Sequence, residues 1–207
     1  MGEEINKKEH WQHLYLTADI SSKSWYETTP AYSLSFFAEY NIPLSAEIID
    51  VGGGNSFLVD HLLKLGYRNI TVMDISRAAL ENARKRLGEK GNQIRWVEAD
   101  AADFKPERRY DVWHDRAAFH FLTENADQRS YDHTSARYIR SGGLMMVGTF
   151  SVDGPDTCSH LTVQQYSEES MSGFFSEDFE KLRCEYTDHI TPSGTVQNFV
   201  FCRFRRK

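Results

Sequence analysis

Three aspartates stand at or near the ends of three apolar runs: Asp50 in "IIDV", Asp74 in "NITVMD" and Asp100 in "QIRWVEAD". Gly52-Gly53-Gly54 follows the first of them. A glycine turn after a strand lets a ligand approach the backbone, and in the form G-x-G-x-x-G it holds a dinucleotide pyrophosphate against a helix N-terminus. Gly52 and Gly54 fit that spacing, but Phe57 takes the third glycine's place and Asp50 would set a carboxylate beside the phosphates. A ligand with an ammonium group and no phosphate suits Asp50 instead. An acidic side chain at the end of the second strand accepts from both ribose hydroxyls, which suits Asp74, and Asp100 is placed to accept from an adenine amino group. Aspartate is also a common helix cap, so one alone says little. All three beside a glycine turn describe S-adenosyl-L-methionine, which carries ammonium, ribose diol and adenine without phosphate.

Those residues need a scaffold that brings strand ends together. "IIDV" is a short buried strand, and Leu58, Leu62 and Leu65 mark a helix that Gly66 stops. "NITVMDI" (69–75) is a strand, followed by a helix with Ser76 as N-cap and Gly88 as its stop. Strands follow at 93–100 and from 110 towards 121, then a helix over roughly 127–140 and a strand at 142–150. This alternation predicts an α/β fold, a doubly wound, mostly parallel sheet with helices on both faces. "KLRCEYTDHI" and "QNFVFCRF" flank the turn-forming "TPSGTV", with no helix between them, and predict a C-terminal antiparallel hairpin. Residues 1–45, with Pro30 and Pro43, form a helical lead-in or lid, and residues 46–207 form the ligand-binding domain.

Further candidates surround this edge. His120, in "WHDRAAFHF", is either a general base, its ordinary pKa being near 6.5, or a packing residue between Phe119 and Phe121. The segment after the strand at 142–150 is long against the roughly 2–6 residues usual between elements. It carries His160 and Tyr166, which either build a substrate pocket or decorate a turn. Trp25 and Tyr26, in "SWYETTP", either close over a ligand as a lid or staple the lead-in to the sheet. Cys158 lacks a C-x-x-C partner and reads as a bystander. The histidines show no metal-ligand spacing, so no metal is expected.

Composition bounds the rest. The chain has 207 residues, 40% hydrophobic and 26% charged, with a net charge of −6. An acidic balance argues against a nucleic-acid partner, since phosphate neutralisation needs a concentrated basic surface, and the basic end "RFRRK" reads as a solvated tail. No apolar run has the length of a membrane span and the start lacks a secretory pattern, so no membrane partner is expected. Three cysteines cannot all pair, which favours a reducing, cytoplasmic setting.

Taken together, "DVGGGNS", "VMDIS", "EADAADF" and "SGGLMMVGTF" resemble the first, ribose, adenine and fifth-strand motifs of class I S-adenosylmethionine-dependent methyltransferases over roughly residues 45–205. The resemblance implies a seven-stranded sheet, with Gly52 and Gly54 against the methionine part, Asp74 at the ribose and Asp100-Ala101 at the adenine. It also implies cofactor contacts from Asp50 and Ile75, and places Asp115 near the transferred methyl, where Asp115 or His120 is the catalytic candidate to hold or accept the proton of an amine acceptor. Asp115-Arg116 resembles the Asp-Lys/Arg-Gly segment of one group of protein lysine methyltransferases, and thiopurine-type methyltransferases share the dipeptide. Ala117 departs from the glycine of that segment. The methyl acceptor is therefore a small molecule or a protein lysine, with a catalytically inactive cofactor-binding module as the alternative.

Overall fold

A computed structural model describes residues 6–207; residues 1–5 of the expected lead-in lie outside it. The lead-in contains α1 (Lys7–Thr17) and α2 (Ala31–Glu39). The domain then runs β1 (Ile48–Val51), α3 (Leu58–Leu65), β2 (Ile70–Asp74), α4 (Arg77–Leu87), β3 (Arg95–Glu98), β4 (Tyr110–Arg116), α5 (Asn125–Tyr138) and β5 (Ile139–Phe150). A small hairpin, β6 (Thr157–Cys158) and β7 (Leu161–Thr162), precedes α6 (Glu168–Phe174), β8 (Phe179–Ile190) and β9 (Val196–Arg206).

The main sheet has seven strands in the order β3-β2-β1-β4-β5-β9-β8. β1 pairs in parallel with β2 and β4, and β9 enters antiparallel beside β5. The order reverses at β1, between β2 and β4, which is where open α/β sheets open a ligand crevice at their carboxyl edge. The helix ends fall where local chemistry puts them. The Ser76 hydroxyl accepts from the Ala79 amide to start α4, and Gly66 ends α3 in the left-handed conformation, φ +105°.

The sheet buries both faces. Ile48 and Val112 pack with Phe36, Phe37, Leu58 and Leu62 on one side. Ile49, Val51 and Trp113 pack with Tyr131, Met171 and Phe175 on the other. The alternation along each strand sends successive side chains to opposite layers, and this decides which candidates reach the crevice.

Three expectations change. β3 starts only at Arg95, because residues Gly88–Gln93 form a 3-10 turn, and it ends at Glu98, so Asp100 lies in the turn beyond. The basic C-terminus is no solvated tail. β9 runs to Arg206, and Arg203, 2% exposed, pairs with Glu39 and Glu185. Cys184 and Cys202 are register partners in the β8–β9 hairpin and are joined as a disulfide, so the cysteine count gives no argument for a reducing compartment. Among the described residues no helix is long and apolar enough to cross a membrane.

Candidate cofactor and acceptor site

The carboxyl ends of β1, β2 and β4 open into a pocket of about 1250 Å³, counting its mouth. Its floor is the glycine turn. Gly52 and Gly54 have φ of +66° and +40°, which side chains rarely adopt. Added side-chain carbons would collide with Ala118 at Gly52 and approach the Asp74 carboxylate to 2.6 Å at Gly54. The turn is glycine because backbone, neighbouring loop and carboxylate share one small space. Arg86 of α4 braces its exit, pairing with Asp60 at 2.8 Å and donating to the Ser56 carbonyl at 2.7 Å. Its guanidinium lies 4.2 Å from the centroid of the Phe57 ring, the residue that replaces the third glycine.

The acidic residues line one wall. Asp74 is buried at the end of β2, and its Oδ1 accepts from the Ser76 amide at 2.8 Å. Burial, with the charge of Asp50 adding, pushes its carboxyl up to about 7 against the pull of that amide. Asp100 is exposed in its turn and accepts from the Ala102 amide at 2.9 Å. Ile75, Asp100 and Ala101 all line the pocket beside Asp74. Asp50 is buried, with Oδ1 bonded and Oδ2 without a hydrogen-bond partner among the described residues. A buried carboxylate oxygen in that condition fits a cationic amino group. This set of acceptors therefore fits S-adenosylmethionine: Asp50 would take the ammonium, Asp74 the ribose and Asp100-Ala101 the adenine.

The lead-in roofs the pocket. Trp11 and Tyr15 of α1 and Trp25 and Tyr26 beyond it all line it. Trp11 meets Trp25 edge-on at 5.6 Å and Phe121 at 5.2 Å, while Tyr26 meets Phe57 at 5.8 Å. α1 is tied down by Gln12, whose side-chain oxygen accepts from the Ser76 hydroxyl and the Ala78 amide at the start of α4.

The catalytic expectations fare differently. Trp113 and Asp115 share the face towards α5, so the Asp115 carboxylate is spent away from the pocket. It accepts from Tyr131 Oη at 2.8 Å and from the amides of Ala118 and Phe119 at 3.0 and 3.2 Å. Burial, opposed by those bonds, raises its carboxyl to about 6. His120 is fully buried, accepts from the Phe150 amide at 3.4 Å and is pushed down to about 3 by burial. Neither side chain lines the pocket. Tyr166 stacks on Phe119 at 5.3 Å, and His160 lies in the small hairpin; neither lines it either.

Strand alternation instead aims His114 and Arg116 at the crevice, and the reading of the Asp115-Arg116 dipeptide missed this because it fixed no face. Arg116 pairs with Glu27 at 3.4 Å, and both line the pocket with Ser33, His114 and Cys158. Ser33, Glu27 and Trp11 carried no motif; only the packing of the lead-in brings them here.

Residues 48–143 match the methyltransferase domain family model. The chain has the seven-strand order of the class I S-adenosylmethionine-dependent methyltransferase fold, and the match to the methyltransferase domain model spans just under half of it. It is similar to EEF1A lysine methyltransferase 2 of Danio rerio, 24% identical over 208 residues, covering 95% of this chain and 84% of that one. It is also similar to malonyl-[acyl-carrier protein] O-methyltransferase 2 of Ilyobacter polytropus, 26% identical over 107 residues. That match covers 51% of this chain and spans only 40% of the relative's length. In fold it is like a protein from work on the conversion of a disulfide bond into a thioacetal group during echinomycin biosynthesis. The TM-score there is 0.77 at 21% identity, covering 97% of this chain and 93% of the other.

Proposed function

We propose that the protein transfers the methyl of S-adenosylmethionine to a small-molecule acceptor enclosed beneath the lead-in. The observation that carries this is the roof. Trp11, Tyr15, Trp25 and Tyr26 cover the crevice, so an acceptor that enters it is enclosed on the side away from the sheet. The bound cofactor supplies a methyl on an activated sulfonium, so the protein's part is alignment and exclusion of water. In this reading Asp50, Gly52, Gly54, Asp74, Ile75, Asp100 and Ala101 hold the cofactor. Trp25 and Tyr26 close over the acceptor, and the Arg116–Glu27 pair offers it a polar anchor. Asp115 and His120 shape the loop that follows β4 from behind, without touching the acceptor.

A protein lysine is the second reading, favoured by the EEF1A lysine methyltransferase 2 relative, most of whose length the chain spans. The test is transfer of a radiolabelled methyl into a cell lysate afterwards split into small molecules and protein. Label in the small-molecule fraction is expected; label confined to protein would replace this reading with the lysine one.

A further inference from the structure

A buried run of hydrogen bonds joins α2 to β1 through β4. Asp50 and His114 are register partners on adjacent parallel strands, and both side chains fall on the layer that α2 covers. His114 Nδ1 lies 2.7 Å from Asp50 Oδ1, and its Nε2 lies 2.8 Å from Ser33 Oγ. All three residues are at most 3% exposed. A carboxylate only accepts, so Nδ1 donates to Asp50, and in the neutral ring Nε2 accepts from the Ser33 hydroxyl. The second oxygen, Asp50 Oδ2, is the one without a partner among the described residues, and it faces Gly53 so closely that any side-chain carbon there would collide with it. One oxygen is thus anchored and the other lies buried and unbonded against the glycine turn.

We propose that His114 is a positioning residue for the cofactor's ammonium group: it clamps Asp50 so that Oδ2 meets the ammonium, and Ser33 extends the clamp to α2. The proposal rests on the cofactor assignment above. Without the imidazole, Asp50 would be a buried carboxylate lacking its one side-chain partner. It would turn towards another donor, and that change removes the oriented acceptor. The contacts on the adenosine side come from β2 and the turn after β3, so they do not depend on this clamp.

That separation supplies the test. S-adenosylhomocysteine carries the ammonium, and 5′-methylthioadenosine is the corresponding adenosine thioether without the amino-acid end. Both are titrated by calorimetry into the wild type and into His114→Phe, His114→Asn and Ser33→Ala. In His114→Phe the affinity for S-adenosylhomocysteine should fall roughly tenfold to hundredfold, the span of a hydrogen bond to a charged group, while methylthioadenosine changes less than about threefold. The Asn side chain restores an N–H near the Nδ1 position and should recover most of the loss. Ser33→Ala keeps the ring and should weaken S-adenosylhomocysteine by about threefold without moving methylthioadenosine, so the comparison survives if His114→Phe does not fold. Equal losses for both ligands, or unchanged S-adenosylhomocysteine binding in the variants, would overturn the clamp. A wild type that binds neither ligand would instead overturn the cofactor assignment, a separate result.

Discussion

Asp74 is held under two opposing demands: burial at the end of β2 favours its neutral form, while a ribose diol favours the carboxylate. Its carboxyl, raised to about 7, keeps its proton in the folded chain well above the roughly 3.9 of an unfolded aspartate. Between those values the folded state binds more protons than the unfolded one, so the stability Asp74 contributes is full below the unfolded value and declines as pH rises through the folded one. Wild type should therefore lose stability relative to Asp74→Asn, which does not titrate, as pH rises from 4 to 7, read from urea melts at each pH. Asp115 and His120 call for a different forecast, because the Asp115 oxygens and His120 Nδ1 serve neighbours and neither side chain lines the pocket. Asp115→Asn should cost about 1–3 kcal/mol of stability through its lost partners and leave the cofactor affinity of the folded fraction nearly unchanged. His120, already neutral at any pH above about 3, should give the pH–rate profile no limb near pH 6.5. Such a limb, present in wild type and absent in His120→Phe, would restore the histidine as a base.

At the scale of elements, the lead-in is the part whose removal separates fold from function. One of the two cores draws on the lead-in through Phe36 and Phe37 of α2, whereas α1 has no fully buried residue and contributes roof side chains and the Gln12 bonds to α4. Deleting residues 1–28 should leave a cooperative thermal melt and weaken cofactor binding. Turnover should fall by about 10²-fold, the scale of losing alignment and water exclusion. Full activity in the truncated chain would make the roof an appendage. Much of this architecture was legible in the sequence. Strand, glycine turn and helix around Asp50, the capped helix after Asp74 and the turn within the terminal hairpin are local signals, and each element appears within a few residues of its expected place. The start of β3 was misjudged because a 3-10 turn used up Gln93. The sequence did not reveal that period-two alternation puts Asp115 on the α5 face and its neighbours on the other. That parity is fixed by pairing with β1 and β5, which no local run reveals. Ser33 and Trp11 were illegible, since nothing in the lead-in's own sequence says which strand end it covers.

For the whole molecule, the governing feature is the chemistry of one sheet edge. Three aspartates and a glycine turn converge where the strand order reverses, under an aromatic roof, and no phosphate-binding third glycine is among them. Such an edge should select an adenosine ligand with an ammonium group and reject a dinucleotide by charge and by the Phe57 ring. Calorimetric titration of S-adenosylhomocysteine and NAD into the wild type and Asp74→Ala tests this most directly. Wild type should bind S-adenosylhomocysteine in the low-micromolar to submillimolar range and NAD not measurably. Asp74→Ala should lose roughly tenfold to 150-fold in affinity, as two hydroxyl bonds to a charged acceptor require. NAD binding as tight as S-adenosylhomocysteine, or an Asp74→Ala protein with undiminished affinity, would contradict the account.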